Sequence, residues 1–540
     1  MPRSLVDAVV ARTLVLVSAV FLLSSPSAAQ VLVPDDYDTI QEAIDAASDG
    51  DTIEVAAGIY VENLDFSGKA IEIIGIDGAA DTILDGSGLT AGVQVGCVVI
   101  FETDETSAAI LDGFTLQSGT GREGVSNSSD ASFGGAIYID GASPTLRNLI
   151  LDGNSADDGG AVFAIDSDVS IEKCTFDGNS ASLRGGGFAA LGLSSPVLTD
   201  CDFLGNSGPF GGAIHIGDTL SGSATPEAEL SVTGCLFDDN FAGSGGGAIS
   251  SIATTSLVDC EFVGNTADFF AGAMWSVGEL TAEACVFQQN EATAGGVWVG
   301  SGAGSLRGCV LADNSANTGG IFATDGDSAG TIVVDRCTLV GNTGSLEGDG
   351  FVLGGGALMP NVDVELTNSI VWDQEEPFVI GSSASSISVT YCVVEGGYIG
   401  TGNIDEDPLF VDAANGDYRL EQDSPAIDAG DPAEFDPDGS VVDMGAIPAE
   451  TTIEFLRGDV DGNGVVSSLS DALSLLLWAF ASGVAPACED AADVDDSGSV
   501  VARSTLWRSS TGRSEAVPSP PLPGQIRAAA TPPTILFSAR

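Results

Sequence analysis

The sequence predicts an all-β chain wound as a right-handed parallel β-helix, a solenoid of stacked coils closed at its start by a short capping helix. Three observations predict it. First, one motif recurs seven times: Cys, any residue, Phe or Leu, two residues, Asn. It runs from Cys174, Phe176 and Asn179 to Cys337, Leu339 and Asn342. Second, its asparagines lie 27, 34, 25, 25, 24 and 28 residues apart, a phased period near 25 that fits one structural unit per repeat. Third, a Gly-Gly-apolar step follows most of these asparagines, as at Gly159-Gly160-Ala161, Gly211-Gly212-Ala213 and Gly319-Gly320-Ile321. Runs this short cannot bury a face alone, so coil must stack on coil.

Each element has a physical reason. Alternation in Cys-x-Phe puts Cys and Phe on one face and Thr175, Asp202 or Glu261 on the other. Stacking about 4.8 Å apart would lay Cys over Cys, Phe over Phe and Asn over Asn. Asn tolerates the left-handed backbone and carries both a donor and an acceptor, so its amide suits a bend and the amide above it. The Gly pairs fit positive φ or close backbone approach. The ladder cysteines read as buried free thiols: seven is odd, CxxC spacing is absent, and Leu149 takes the same place one coil earlier.

Before the repeats, residues 1–29 read as a secretory signal, with Arg3 and Arg12, an apolar run over 13–23 and Ser27-Ala28-Ala29 as the cleavage site. Residues 33–58 form the cap: Thr39 to Glu42 is a capping box ahead of Ile44, Ala46 and Ala47, and the first strand follows at 51–55. The β-helix is expected over 30–448, its regular coils over about 131–345. The whole chain carries 78 acidic and 16 basic residues, a formal charge of −62. Such a surface repels nucleic acid and acidic polymers and favours divalent cations.

Residues 449–500 change character. Asp459, Asp461, Asn463 and Gly464 place oxygen ligands at alternating loop positions with Gly at the turn, as an EF-hand calcium loop requires. An apolar helix is expected over 472–480, and a second loop start lies at Asp493, Asp495 and Ser497. From 501 to 540 the chain holds five Arg, six Pro and one acid, a reversal that reads as a disordered tail, through an altered reading frame or divergence.

The opening Val33-Pro34-Asp35-Asp36-Tyr37 to Ile44 resembles the start of secreted bacterial β-helix proteins of the pectin-lyase-like superfamily. The Gly-Gly-Ala-Ile and Phe-x-x-Asn elements resemble the repeats of polymorphic outer-membrane proteins, which are surface adhesins. Residues 403–410 with Ser424-Pro425-Ala426-Ile427-Asp428-Ala429-Gly430 resemble the closing module of many secreted β-helices. The paired loops resemble a type I dockerin, which implies calcium held by Asp459, Asp461, Asn463, the Val465 carbonyl and Asp471, and a cohesin-like partner. Asp471 is thirteenth rather than twelfth in its loop and Ser504 stands at the matching place in the second, so the module is partial.

Catalytic chemistry finds few residues. Pectate lyases, which this fold resembles, imply a basic Arg or Lys in the groove, and the chain's only lysines are Lys69 and Lys173. Asp157-Asp158 and Asp238-Asp239 are paired carboxylates, but they fall at turns, where Asp is common. The single His215, flanked by Ile214 and Ile216, is expected to face solvent. Trp275 and Trp298, one coil apart, could stack into an aromatic strip; Trp372 and Trp478 are further candidates. The expectation is a secreted or cell-surface, noncatalytic binder of carbohydrate or envelope polymers. The alternative is a polysaccharide lyase or glycoside hydrolase carrying the dockerin-like module.

Overall fold

The computed structural model describes residues 29–88, 96–123, 131–217, 228–300, 303–324, 330–353, 362–380, 385–436 and 439–446. The signal segment before residue 29, the calcium loop at Asp459, Asp461, Asn463, Val465 and Asp471, Trp478 and the tail lie outside these residues.

The described chain is a right-handed parallel β-helix. Four sheets run along it: sheet I with 14 strands, sheet II with 13, sheet III with 10 and sheet IV with 12, among the described residues. One coil crosses all four. Thr145–Arg147 lies in sheet I, Ile150–Asp152 in II, Ser155–Asp158 in III and Val162–Ile165 in IV. Cys-x-Phe supplies sheet II and the run after Gly-Gly supplies sheet IV. Sheet III was hidden because its strands lack apolar alternation and are bulged.

Three left-handed corners bend each coil. The first precedes the Cys position, at Asn148, Lys173 and Asp200; the second precedes the Asn, at Gly153, Gly178, Gly205 and Asp239; the third is the first glycine of the Gly-Gly step. The ladder asparagines are therefore not the left-handed residues, contrary to the sequence expectation. Their neighbours make the bend and the asparagines provide amides. The two glycines of a step serve different needs. Gly159 takes φ +65°, while a Cβ on Gly160 would lie 2.1 Å from the Gly186 carbonyl oxygen of the next coil.

Side chains inside form columns. Phe176, Phe203, Phe237, Phe262 and Phe287 pair in register and stack with ring centroids 4.4 to 5.0 Å apart; Leu311, Leu339 and Val371 continue the column. Each such ring, fully buried, contributes roughly 2–3 kcal/mol. Beside it run the buried free thiols Cys174 to Cys337, flanked by Leu149 and Ser369 and resumed at Cys392. Burial pushes the thiols of Cys97 and Cys392 up to about 12, which keeps them protonated and unreactive.

The asparagine column is a continuous chain of hydrogen bonds. From Asn154 to Asn314, each Nδ2 donates to the Oδ1 of the next Asn at 2.8 to 3.1 Å, and each backbone N–H donates to the same oxygen. The second amide hydrogen reaches a carbonyl of the preceding coil, as Asn240 does to Phe203 at 2.9 Å. This satisfies groups that burial would otherwise leave unpaired. Gln374 takes the place one coil after Asn342 and reaches the Leu339 carbonyl at 2.9 Å.

Both ends are covered. The helix Ile40–Ala46 begins at Thr39, whose Oγ1 accepts from the Glu42 N–H at 3.2 Å. Glu62, from the next coil, takes the N–H groups of Ile40 and Gln41. A strand precedes the helix, Gln30–Val33, and pairs with Thr52–Val55, so the first strand comes earlier than the sequence suggested. At the other end Ile404 bridges Val393, and the chain then returns along the flank of sheet II with the antiparallel hairpin Phe410–Asp412 and Asp417–Leu420. Arg336 holds this returning segment through Glu434 at 2.9 Å, and Thr338 Oγ1 accepts from the Ala446 N–H at 2.9 Å.

Candidate functional site

Outside the core, polar and aromatic side chains gather where sheets III and IV meet. The Gly-Gly corner folds sheet III towards the outer face of sheet IV, so Phe133 of one packs on Phe163 of the other with centroids 4.9 Å apart. The outward column of sheet IV reads Tyr138, Phe163, Ala189, His215, Ser250, Trp275 and Val299.

Three polar groupings lie along this seam. The Arg122 guanidinium sits 4.9 Å over the Tyr138 ring and pairs with Glu102. Next, Arg184 forks onto Asp158, Nε to Oδ1 at 2.7 Å and Nη2 to Oδ2 at 2.8 Å. Asp158 is 1% exposed, whereas its neighbour Asp157 bonds Ser132 and Ser182, and the Ser182 hydroxyl holds its carboxyl below the usual range. The two acids thus face different partners and do not form a working pair. Asp239 is a left-handed corner beside a half-buried Asp238.

His215 is 1% exposed, which corrects the expectation of a solvent-facing ring: sheet III covers the outward side of sheet IV, so alternation there does not lead to water. Its Nε2 lies 3.0 Å from the Gly217 carbonyl oxygen and its Nδ1 3.1 Å from Ser250 Oγ. A carbonyl only accepts, so Nε2 carries the proton and Nδ1 accepts from the serine hydroxyl. Burial, and then the Arg184 charge, pushes the imidazole down to about 3, so it is neutral. Serine and histidine are in hydrogen-bond reach, as nucleophilic chemistry would need, but Ser250 is 0% exposed and neither meets solvent.

Two coils beyond His215 the seam opens onto aromatic rings. Trp275 is half-buried, with the Phe210 ring 6.3 Å away. Gly245 lies between Phe210 and Phe270 in the register of sheet III, and a Cβ on it would sit 3.7 Å from the Trp275 ring. The missing side chain leaves a notch one coil wide with rings on both sides. Phe241, Phe269 and Phe270 beside it are 42%, 56% and 47% exposed. Trp298 does not join them. It pairs with Met274 rather than Trp275, is 1% exposed, and donates from Nε1 to Ser276 Oγ at 2.9 Å. That one-residue offset sends one indole out and the other in. The sequence reading passed over Phe210, Phe241, Phe269 and Phe270; apolar residues between the Asn and the Gly-Gly step were the available signal.

Among the described residues no group of three His, Cys, Asp or Glu side chains is placed to hold a metal ion, and no helix is long and apolar enough to cross a membrane.

Residues 111–267 match the family model described as a right-handed β-helix region. No curated protein matches. Among solved structures, the chain resembles a PL6 family alginate lyase, AlyGC, at 15% identity over 73% of this chain and 56% of that one, TM-score 0.42. It also resembles pectate lyase Pel9A at 12% identity over 78% and 97%, TM-score 0.34, and a polygalacturonase from Erwinia carotovora at 13% over 67% and 95%, TM-score 0.33. The chain thus spans little more than half of the alginate lyase.

Proposed function

We propose that this protein is a secreted or cell-surface β-helix that binds carbohydrate or envelope polymers without cleaving them. The observation that carries the reading is the aromatic notch of Phe210, Trp275 and Phe270 on the side of a rigid solenoid. Exposed rings offer flat apolar faces on which sugar rings stack, and clustered exposed aromatics are uncommon on a surface with no partner. Titratable groups beside the notch are engaged elsewhere: Asp158 by Arg184, His215 by Ser250 and Gly217. On the sequence alone, the reading also assigns calcium to Asp459, Asp461, Asn463, Val465 and Asp471, with a cohesin-like partner for that module.

A glycan array read for retention, alongside reducing-end and 235 nm assays in calcium, tests the proposal. Retention that Trp275→Ala and Phe270→Ala abolish is the expected result. Product formation would replace it with the lyase or hydrolase reading.

A further inference from the structure

We infer that the cavity between sheet II and the returning segment binds an amine-bearing hexopyranose, the unit of a cationic polysaccharide. This rests on the binding reading above and names a ligand class for the protein. The cavity measures about 340 Å³, within the range of small-ligand sites. Its floor is Trp372, Leu409 and Phe410; its rim is Asp373, Asp407 and Glu421, all three exposed. Trp372 is the outward third residue of its sheet II strand, in a column that runs through Asp238, Val263, Gln288, Ala312 and Val340, so the aromatic face first appears in this coil.

Two ligand features follow from this lining. Half-buried aromatic rings accept the apolar C–H face of a pyranose. A rim of carboxylates with no basic residue in the lining accepts hydrogen bonds and attracts positive charge. The field there is negative: burial, and then the Asp373 charge, holds the neighbouring Asp313 carboxyl above its ordinary value. An ammonium group also gains from the ring faces beside it. A uronate polymer would bring its carboxylates to this rim and to a chain of formal charge −62, so it is disfavoured at both ranges. A neutral sugar satisfies the floor but leaves the rim charges without a cation.

The test is calorimetric titration of the full chain with a glucosamine tetramer, an N-acetylglucosamine tetramer and a galacturonate tetramer. The expected result is binding of the first at least tenfold tighter than the second, none of the third, and weakening with salt. Trp372→Ala and Glu421→Gln each lower affinity for the glucosamine tetramer at least tenfold, Trp372→Phe lowers it less, and the distant Asp177→Asn leaves it unchanged. Equal affinity in Glu421→Gln and wild type would mean general adsorption of a polycation and overturn the inference, as would equal affinity for the acetylated tetramer. Glutamine is isosteric with glutamate, so a folding defect does not confuse that arm. If array retention depends on Trp275 while these titrations fail, this inference alone falls; if neither survives, the binding reading falls with it.

Discussion

Sheet II has the same inner face along its length and two different outer faces. In its earlier coils the outward positions are exposed or half-buried and include the exposed acids Asp152, Asp177, Asp202 and Glu261 beside half-buried Ile150, Leu204, Leu236 and Val263. In its later coils they are Val310, Ala312, Thr338, Val340 and Ile370, all buried. The inner columns of Phe or Leu, thiol and amide scarcely change across this boundary. What changes is the neighbour: the returning segment packs Tyr418, Leu420, Ala426 and Met444 against the later stretch. The difference teaches that inward positions set the fold, while outward positions record what each stretch meets.

Deleting inner-column volume should harm both stretches, because that column is common to them. Phe237→Ala is expected to cost about 3–5 kcal/mol and Leu339→Ala about 2–5 kcal/mol, read from urea midpoints. Similar losses in both would uphold the shared core; a mild effect in one would break the comparison. The outer face should behave oppositely. Val310→Asp, which makes the covered face look like the open one, is expected to cost about 2–3 kcal/mol and expose residues 405–446 to protease. The reverse change, Asp177→Val, should stay within about 0.5 kcal/mol. If Val310→Asp leaves cleavage unaltered, the returning segment is not held by that apolar face.

Sheet IV sharpens the point, because sheet III covers its outward side around His215. The folded imidazole sits at about 3, below its ordinary 6.5, so the unfolded chain takes up the proton first. Stability from keeping it neutral is full above about pH 6.5 and falls as pH drops towards 3, by about 1.4 kcal/mol per pH unit. Urea titrations of wild type and His215→Phe across this window should differ in slope by that amount, and parallel slopes would refute the buried, neutral histidine. A small effect is expected at Arg336. Its pair with Glu434 is partly exposed, so Arg336→Ala should loosen the returning segment by about 0.5–1 kcal/mol, less in high salt, as read by the same proteolysis.

Much of the fold was legible because its signal repeats. Phase locking of Cys, Phe and Asn marked the strand, the inward face and the bend, and Thr39 marked the helix start. Sheet III escaped notice because Ser180, Ser207 and Thr266 pair through backbone, leaving no apolar alternation to read. His215 was misplaced for a related reason: period-two alternation tells which residues share a face, not whether another sheet covers it. The switch from Asp177 and Asp202 to Val310 and Ala312 was visible in the letters. Its meaning was not, since the covering segment lies about a hundred residues downstream and no local pattern links the two. The aromatic notch depends on Gly245, an absent side chain whose effect appears only once coils are stacked.

The amide chain through the asparagines points one way, every Nδ2 towards the following turn. Severed between any two turns, it presents the same donors on one side and the same acceptor on the other. A duplicated or deleted turn would rejoin without rewriting its neighbours, so lengthening the acid-faced stretch requires no new chemistry. That freedom ends where the returning segment clasps the flank, because the clasp from Arg336 to Glu434 and from Thr338 to Ala446 spans a set number of turns. Length drift among descendants of this chain should therefore accumulate upstream of the clasp and stall beneath it.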